Sequence, residues 1–205
     1  MADTPPGRDD PAMPGNAPAP PAVTATRRPY VSPWLAVRED TLLLPDGSSA
    51  TYAVVERRDF AIVIPRTDEG LVLVEQYRHP LGRRSLEFPQ GSDPGDPDRP
   101  PAEVARTELA EETGMRAGTL RALGHVHLAT GLSPQAAHVF LATDLRPGPT
   151  AREPLEQDMT VHVVSVERFR ELVASGAIDD AATLAAWARY LAVANGAFDA
   201  PEVGG

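Results

Sequence analysis

The chain has 205 residues, with 22 Pro, 16 Gly, no Cys, and 19 Lys and Arg against 29 Asp and Glu, so that its formal charge is −10 and its pI about 4.9. One domain of this length can bury a hydrophobic core without covalent staples, and disulfides and thiolate metal sites are excluded. An acidic balance repels a polyanion, and no apolar run approaches the roughly 18 residues of a membrane span, so neither nucleic acid nor membrane is an expected partner and a cytoplasmic location is expected.

Residues 1–29 carry eight prolines among Ala and Gly and almost no large apolar side chain. They are expected to form a disordered tail outside the fold. From Tyr30 the texture changes: Trp34 to Val37, Leu42 to Leu44, a Pro45-Asp46-Gly47-Ser48 turn and Thr51 to Glu56 predict an antiparallel start. Phe60 to Pro65 and Leu71 to Tyr77, separated by Thr67-Asp68-Glu69-Gly70, predict a hairpin. A helix is predicted over 102–112, opened by Pro100-Pro101 and closed by Gly114 as a left-handed cap, with Ala102, Ala105 and Leu109 as its buried stripe. Strands are predicted over 120–126, 138–142 and 159–166, then helices over 166–174 and 180–194 and a flexible tail over 197–205. The order predicts an α+β domain over residues 30–196, an α/β/α sandwich with a mixed β-sheet.

The most informative segment is Thr107 to Met115. On a helix, Glu108, Glu111 and Glu112 share a face, where like charges cost a few tenths of a kcal/mol per pair. Their place in the last turn also sets them against the negative end of the helix dipole, at roughly 0.3–1 kcal/mol each. A divalent cation reverses both signs, and carboxylate oxygens without Cys favour a hard ion, Mg²⁺ or Mn²⁺, over zinc. Upstream, the Pro/Gly loop Glu87-Phe88-Pro89-Gln90-Gly91 can offer main-chain carbonyls to such an ion.

Gly91 with Glu108-Leu109-Ala110-Glu111-Glu112-Thr113-Gly114-Met115 resembles the box of the Nudix hydrolases, and Glu75 to Arg78, Glu87 to Gly91, Asp158 to Ser165 and Gly176 to Thr183 are most similar to the ADP-ribose pyrophosphatase branch. The resemblance spans most of residues 34–195. It implies a Nudix-like sandwich and the Mg²⁺- or Mn²⁺-dependent hydrolysis of the pyrophosphate bond of ADP-ribose or a related nucleoside diphosphate sugar, giving a nucleoside monophosphate and a sugar phosphate. Carried over residue by residue, it implies Glu108 and Glu112 as the principal metal ligands, Glu111 as a further ligand and catalytic group, and the main-chain carbonyl of Gln90 as an additional ligand. Arg78 is implied at the phosphate or ribose region of the substrate. A general base is implied in the loop before the last strand, where Glu153, Glu156 and Asp158 stand and Glu156 is chosen. The resemblance also implies a homodimer paired through the N-terminal strands; Trp34 and Tyr52 are read as core or interface aromatics of their strands, with stacking on a base as the alternative.

Departures from the family pattern bear on rate. Thr107 stands where the box has Arg, Arg106 lies about 100° further round the helix, and Arg99 occupies the place of the loop's Glu, leaving Asp93, Asp96 or Asp98 to substitute. The substrate loop 129–137 lacks an acidic residue. These departures keep open a second reading, a catalytically weak module that binds and senses a nucleotide sugar, and a third, a pyrophosphatase for another nucleoside diphosphate derivative. His125, His127, His138 and His162 fall in strand-like runs and are assigned to packing or pairing rather than to metal.

Overall fold

A computed structural model gives the fold, described for residues 19–93, 95–96, 98–150 and 157–194. The expected tails over 1–18 and 197–205 lie outside the described residues.

The first correction concerns the N-terminus. Strand β1 (Ala22–Val31) lies largely inside the stretch expected to be a tail, and pairs antiparallel with β2 (Ala36–Leu43), which pairs antiparallel with β3 (Ser49–Glu56). Val23, Thr24 and Thr26 supply β-branched strand material that the surrounding prolines mask. Pro29 falls at a register shift between Arg27 and Tyr30 on this edge strand, a place where a missing N–H is tolerated. Side chains tie the strand down: Thr26 Oγ1 donates to Asp40 Oδ1 at 2.8 Å, and Arg28 grips Glu56 through Nε at 2.7 Å and Nη2 at 3.1 Å.

Strands β4 (Phe60–Pro65) and β5 (Leu71–Arg78) turn back on each other at Thr67 to Gly70 as predicted, but do not form a hairpin ladder. Both are buried on both faces, and each finds other partners. A three-stranded sheet runs β10-β5-β6, with β6 (Arg83–Glu87) and β10 (Thr160–Val164) both antiparallel to β5. A four-stranded mixed sheet runs β7-β4-β9-β8, from β7 (Gln90–Gly91), β8 (Met115–His127) and β9 (Ala136–Pro147), with β4 parallel to β9 and the other pairings antiparallel.

Alternation along β4 divides the core in two. Ala61 and Val63 face α1 (Pro101–Thr113), packing with Ala105, Leu109, Leu120 and Phe140. Ile62 and Ile64 face the other way, into a larger cluster with Leu73, Phe88, Phe169 of α2 (Val166–Ala174) and Trp187 of α3 (Ala181–Ala194). Helices therefore cover both faces, and the expected α+β sandwich is the observed architecture. Among the described residues no helix is long and apolar enough to cross a membrane.

Candidate active site

The short segment from Glu87 to Gly91 links β6 to β7 and touches three other elements. At its start, Glu87 is buried and receives the Arg78 guanidinium at two points, Nε to Oε1 at 3.0 Å and Nη2 to Oε2 at 2.5 Å. Burial alone would raise the Glu87 carboxyl's pKa, but the bond and charge of Arg78, with hydrogen bonds from Ser85 and Gln90, hold it below the usual carboxylate range. Burial likewise opposes the charge on Arg78, and Glu87, with the fields of Glu112 and Asp180, more than offsets it. Both groups are ionised, as a two-point ion pair requires.

Further along, Gln90 Nε2 donates to Glu87 Oε2 at 2.7 Å and to Asp180 Oδ2 at 3.2 Å. Asp180 opens α3, accepting from Thr183 N at 2.8 Å, and Thr183 Oγ1 accepts from Phe88 N at 3.0 Å.

On its opposite side the segment meets α1. Gly114, at φ 72°, stops this helix in the left-handed conformation expected of it. Two turns of α1 then face the segment: buried Glu112 accepts from Gln90 N at 3.2 Å, and the Glu108 carboxylate lies directly over Gly91. A Cβ on Gly91 would stand 2.5 Å from Cδ and from both oxygens of Glu108, so the absent side chain is what lets the carboxylate approach the backbone.

These groups fit a hard divalent ion by their chemistry. Glu108, Glu112 and the main-chain carbonyl of Gln90 are oxygen donors drawn to one short stretch of backbone. Among the described residues no three acidic or histidine side chains form a ready-made cage. Glu111 lines a separate niche with Arg106, Thr107, Ala110, Arg116 and Pro149, because the helix turns it away from the Glu108–Glu112 line.

Beside the segment opens a cleft of about 350 Å³, lined by Arg57, Phe60, Arg78, Gln90, Gln135 and Asp180 among others. Arg57 also lines a neighbouring niche with Trp34, which is exposed, so the N-terminal sheet reaches the edge of the cleft. The sheet is fastened there by Tyr52, whose hydroxyl donates to Gly131 O at 2.7 Å, and by Val55 N, which donates to Leu132 O at 2.8 Å.

The two atypical box positions meet each other. Arg99 donates through Nη2 to Thr107 Oγ1 at 2.5 Å and through Nη1 to Asp93 Oδ2 at 2.9 Å, whereas Arg106 turns aside to the carbonyl of Ala117 at 3.0 Å. A guanidinium from the loop and a hydroxyl from the helix thus join the places where the family pattern has a loop carboxylate and a helix arginine. Of the residues considered for the base, Glu153 and Glu156 lie outside the described residues, and Asp158 is engaged by Arg84 at 2.6 Å. The histidines sit in strands as expected: His125 approaches the rings of His127 and His138 at 5.6 and 6.1 Å, His138 faces Asp59 at 3.3 Å, and His162 faces Glu75 at 3.2 Å.

Sequence reading missed the side chains of Glu87 and Gln90 and the parts played by Asp180, Thr183 and Arg57. Glu87 and Gln90 stood inside the quoted loop and Asp180 and Thr183 inside the quoted late stretch, but their contacts join residues far apart in the chain. Arg57 carried no local signal beyond its charge.

Comparison with known proteins gives a consistent answer. Residues 23–55 match the family described as the nucleoside diphosphate sugar hydrolase N-terminal domain. The chain is 33% identical over 165 residues to an ADP-ribose pyrophosphatase of Mycobacterium tuberculosis, covering 78% of each protein. It is 35% identical over 144 residues to an ADP-ribose pyrophosphatase of Bacillus subtilis, covering 68% of this chain and 76% of that one. A crystal structure of an ADP compounds hydrolase superposes with a TM-score of 0.78 at 19% identity, over 89% of this chain and 98% of the other.

Proposed function

The chain belongs to the ADP-ribose pyrophosphatase branch of the Nudix hydrolases, and from that premise we propose that it hydrolyses the pyrophosphate bond of ADP-ribose or a closely related nucleoside diphosphate sugar, with Mg²⁺ or Mn²⁺ held by Glu108, Glu112 and the Gln90 carbonyl. The products are a nucleoside monophosphate and a sugar phosphate. One observation carries the reading: the Glu87–Gly91 segment joins, within five residues, a guanidinium suited to a diphosphate and the carboxylates suited to a cation.

Hydrolysis of a pyrophosphate accumulates negative charge on phosphoryl oxygens and on the leaving group. A bound divalent ion supplies Lewis acidity and lowers the pKa of water. Arg78, fixed by Glu87, presents a planar charge to the phosphate oxygens from the cleft wall. Glu108 and Glu112 hold the cation side of the site, Glu111 on the same helix serves as a further ligand and catalytic group, and the base is assigned to Glu156, which stands between β9 and β10 in the sequence.

The protein acts as a cytoplasmic homodimer with no nucleic-acid partner. Every residue of β1 is exposed, including Val23, Tyr30 and Val31, which is apolar strand surface suited to a second copy.

A panel of nucleoside diphosphate sugars, incubated with the purified protein with and without Mg²⁺ in heavy-oxygen water, tests the reading. Release of a monophosphate and a sugar phosphate, one carrying the label, is the expected result. No cleavage of any compound, together with ligand-dependent thermal stabilisation, would replace the enzyme with a binding module.

A further inference from the structure

The stretch from Gly176 to Thr183 resembles the pyrophosphatase branch, yet no step of the proposed reaction uses it. In the fold it becomes the start of α3, and two of its side chains hold the backbone segment on which the proposed metal site is built. Thr183, fully buried, takes the N–H of Phe88 on its hydroxyl. Asp180 takes the side-chain amide of Gln90. The same oxygen, Oδ2, receives both Gln90 Nε2 at 3.2 Å and Thr183 N at 2.8 Å, so the helix cap and the tie to the segment converge on one atom.

Gln90 is a neutral donor between two carboxylates: its Nε2 also reaches Glu87 Oε2 at 2.7 Å. The path Asp180–Gln90–Glu87–Arg78 is therefore continuous and alternates acceptor with donor throughout. Gln90's main-chain N–H donates to Glu112, so the residue whose carbonyl is assigned to the cation is held at its backbone by Glu112 and at its side chain by Glu87 and Asp180. We propose that Asp180 is a positioning residue: through the Gln90 amide it sets the Gln90 main chain against Glu112 for cation binding. The inference rests on the assignment of Glu108, Glu112 and the Gln90 carbonyl to the cation.

The test separates the cap from the tie. Asp180→Ser keeps a side-chain oxygen for the Thr183 N–H, since Ser is a good helix cap, but is too short to reach Gln90. Asp180→Asn keeps one oxygen able to accept both donors and removes only the charge. For each variant and the parent, Mn²⁺ affinity is measured from the paramagnetic resonance signal of the free ion, alongside the Mg²⁺ concentration giving half-maximal turnover of ADP-ribose and the Tm in chelator. Asp180→Ser should bind Mn²⁺ on the order of 10–100-fold more weakly and need correspondingly more Mg²⁺, with Tm within about 4 °C of the parent. Asp180→Asn should restore most of the affinity. Parental Mn²⁺ affinity in Asp180→Ser, or an Asp180→Asn as weak as the Ser variant, would overturn the inference while leaving the enzyme reading intact. A parent that neither binds Mn²⁺ nor cleaves any nucleotide sugar would overturn both.

Discussion

Arg78 and Glu87, nine residues apart on adjacent antiparallel strands, form a two-point ion pair in which the carboxylate is 2% exposed and the guanidinium 37% exposed. Both line the cleft, but the difference in exposure separates their duties: Glu87 is the buried anchor, and Arg78 the more exposed of the two. Arg78→Lys keeps a charge but loses the fork, and kcat/KM should fall by at least about tenfold, equivalent to roughly 1.4 kcal/mol of transition-state binding. Arg78→Ala leaves a buried carboxylate without its partner and should also lower stability in urea, by less than the 3–5 kcal/mol typical of a fully buried pair because water can reach the mouth. Equal stability of parent and Ala variant would show that the pair anchors nothing.

Much of this site is legible in the sequence alone. The Thr107–Met115 segment put Glu108, Glu111 and Glu112 together on one helix, and Gly114 fixed where that helix ends, because helical spacing and the left-handed cap are local rules. What local rules did not carry was contact across the chain: the Gln90–Asp180 bond spans 90 positions and the Phe88–Thr183 bond 95. Strand β1 was hidden by composition, since prolines dominate its neighbourhood while its stability comes from pairing with β2 and from Arg28 and Glu56. The hairpin expected of β4 and β5 failed for a related reason: two strands apolar on both faces gain more from separate sheets than from each other.

Glu112 carries the sharpest metal prediction. Its carboxylate is buried at the negative end of α1, where the helix dipole opposes its charge and Gln90 N and the field of Arg78 offset that cost. Glu112→Gln should reduce turnover by at least about a hundredfold, the scale of losing one positioned electrostatic group in such a site. In chelator the variant should melt no lower than the parent, and added Mg²⁺ should raise the parent's Tm but not the variant's. A variant stabilised by Mg²⁺ as strongly as the parent would remove Glu112 from the cation site.

The exposed β1 predicts an assembly. Light scattering at micromolar concentration should give twice the chain mass, and Val31→Asp, which puts a charge on the exposed strand, should shift the mass toward one chain without lowering the Tm of the remainder. A parent that scatters as a single chain would leave β1 without the proposed partner.

Acid should loosen the N-terminal sheet at Glu56. Hydrogen bonds and charge from Arg28 and Arg38 hold its carboxyl below the ordinary value of 4.5 despite the opposing effect of burial. A carboxyl with a depressed folded-state pKa contributes its full stability above the unfolded value and loses it as pH falls through the folded one, because the unfolded chain takes up the proton first. The Tm difference between parent and Glu56→Gln should therefore be greatest near about pH 6 and shrink toward about pH 3. A difference that stays constant over that range would mean that the ion pairs add nothing to stability.

Two glycines make a matched final test, because a methyl group at each meets a different kind of neighbour. At Gly70, with φ at +151°, a Cβ would lie 2.0 Å from the Val164 carbonyl oxygen, and neither that backbone nor the strained φ can give way cheaply. Gly70→Ala should thus cost more than the roughly 0.5–3 kcal/mol of an ordinary substitution. At Gly91 the Cβ would meet the end of the Glu108 side chain, which can swing aside. Gly91→Ala should accordingly leave the urea midpoint near the parent's while raising the Mg²⁺ needed for half-maximal turnover by on the order of tenfold, since the carboxylate, not the backbone, is what moves. If Gly91→Ala unfolds as readily as Gly70→Ala, the close approach at Gly91 serves packing; if it changes neither stability nor the Mg²⁺ requirement, Glu108 does not hold the cation from above Gly91.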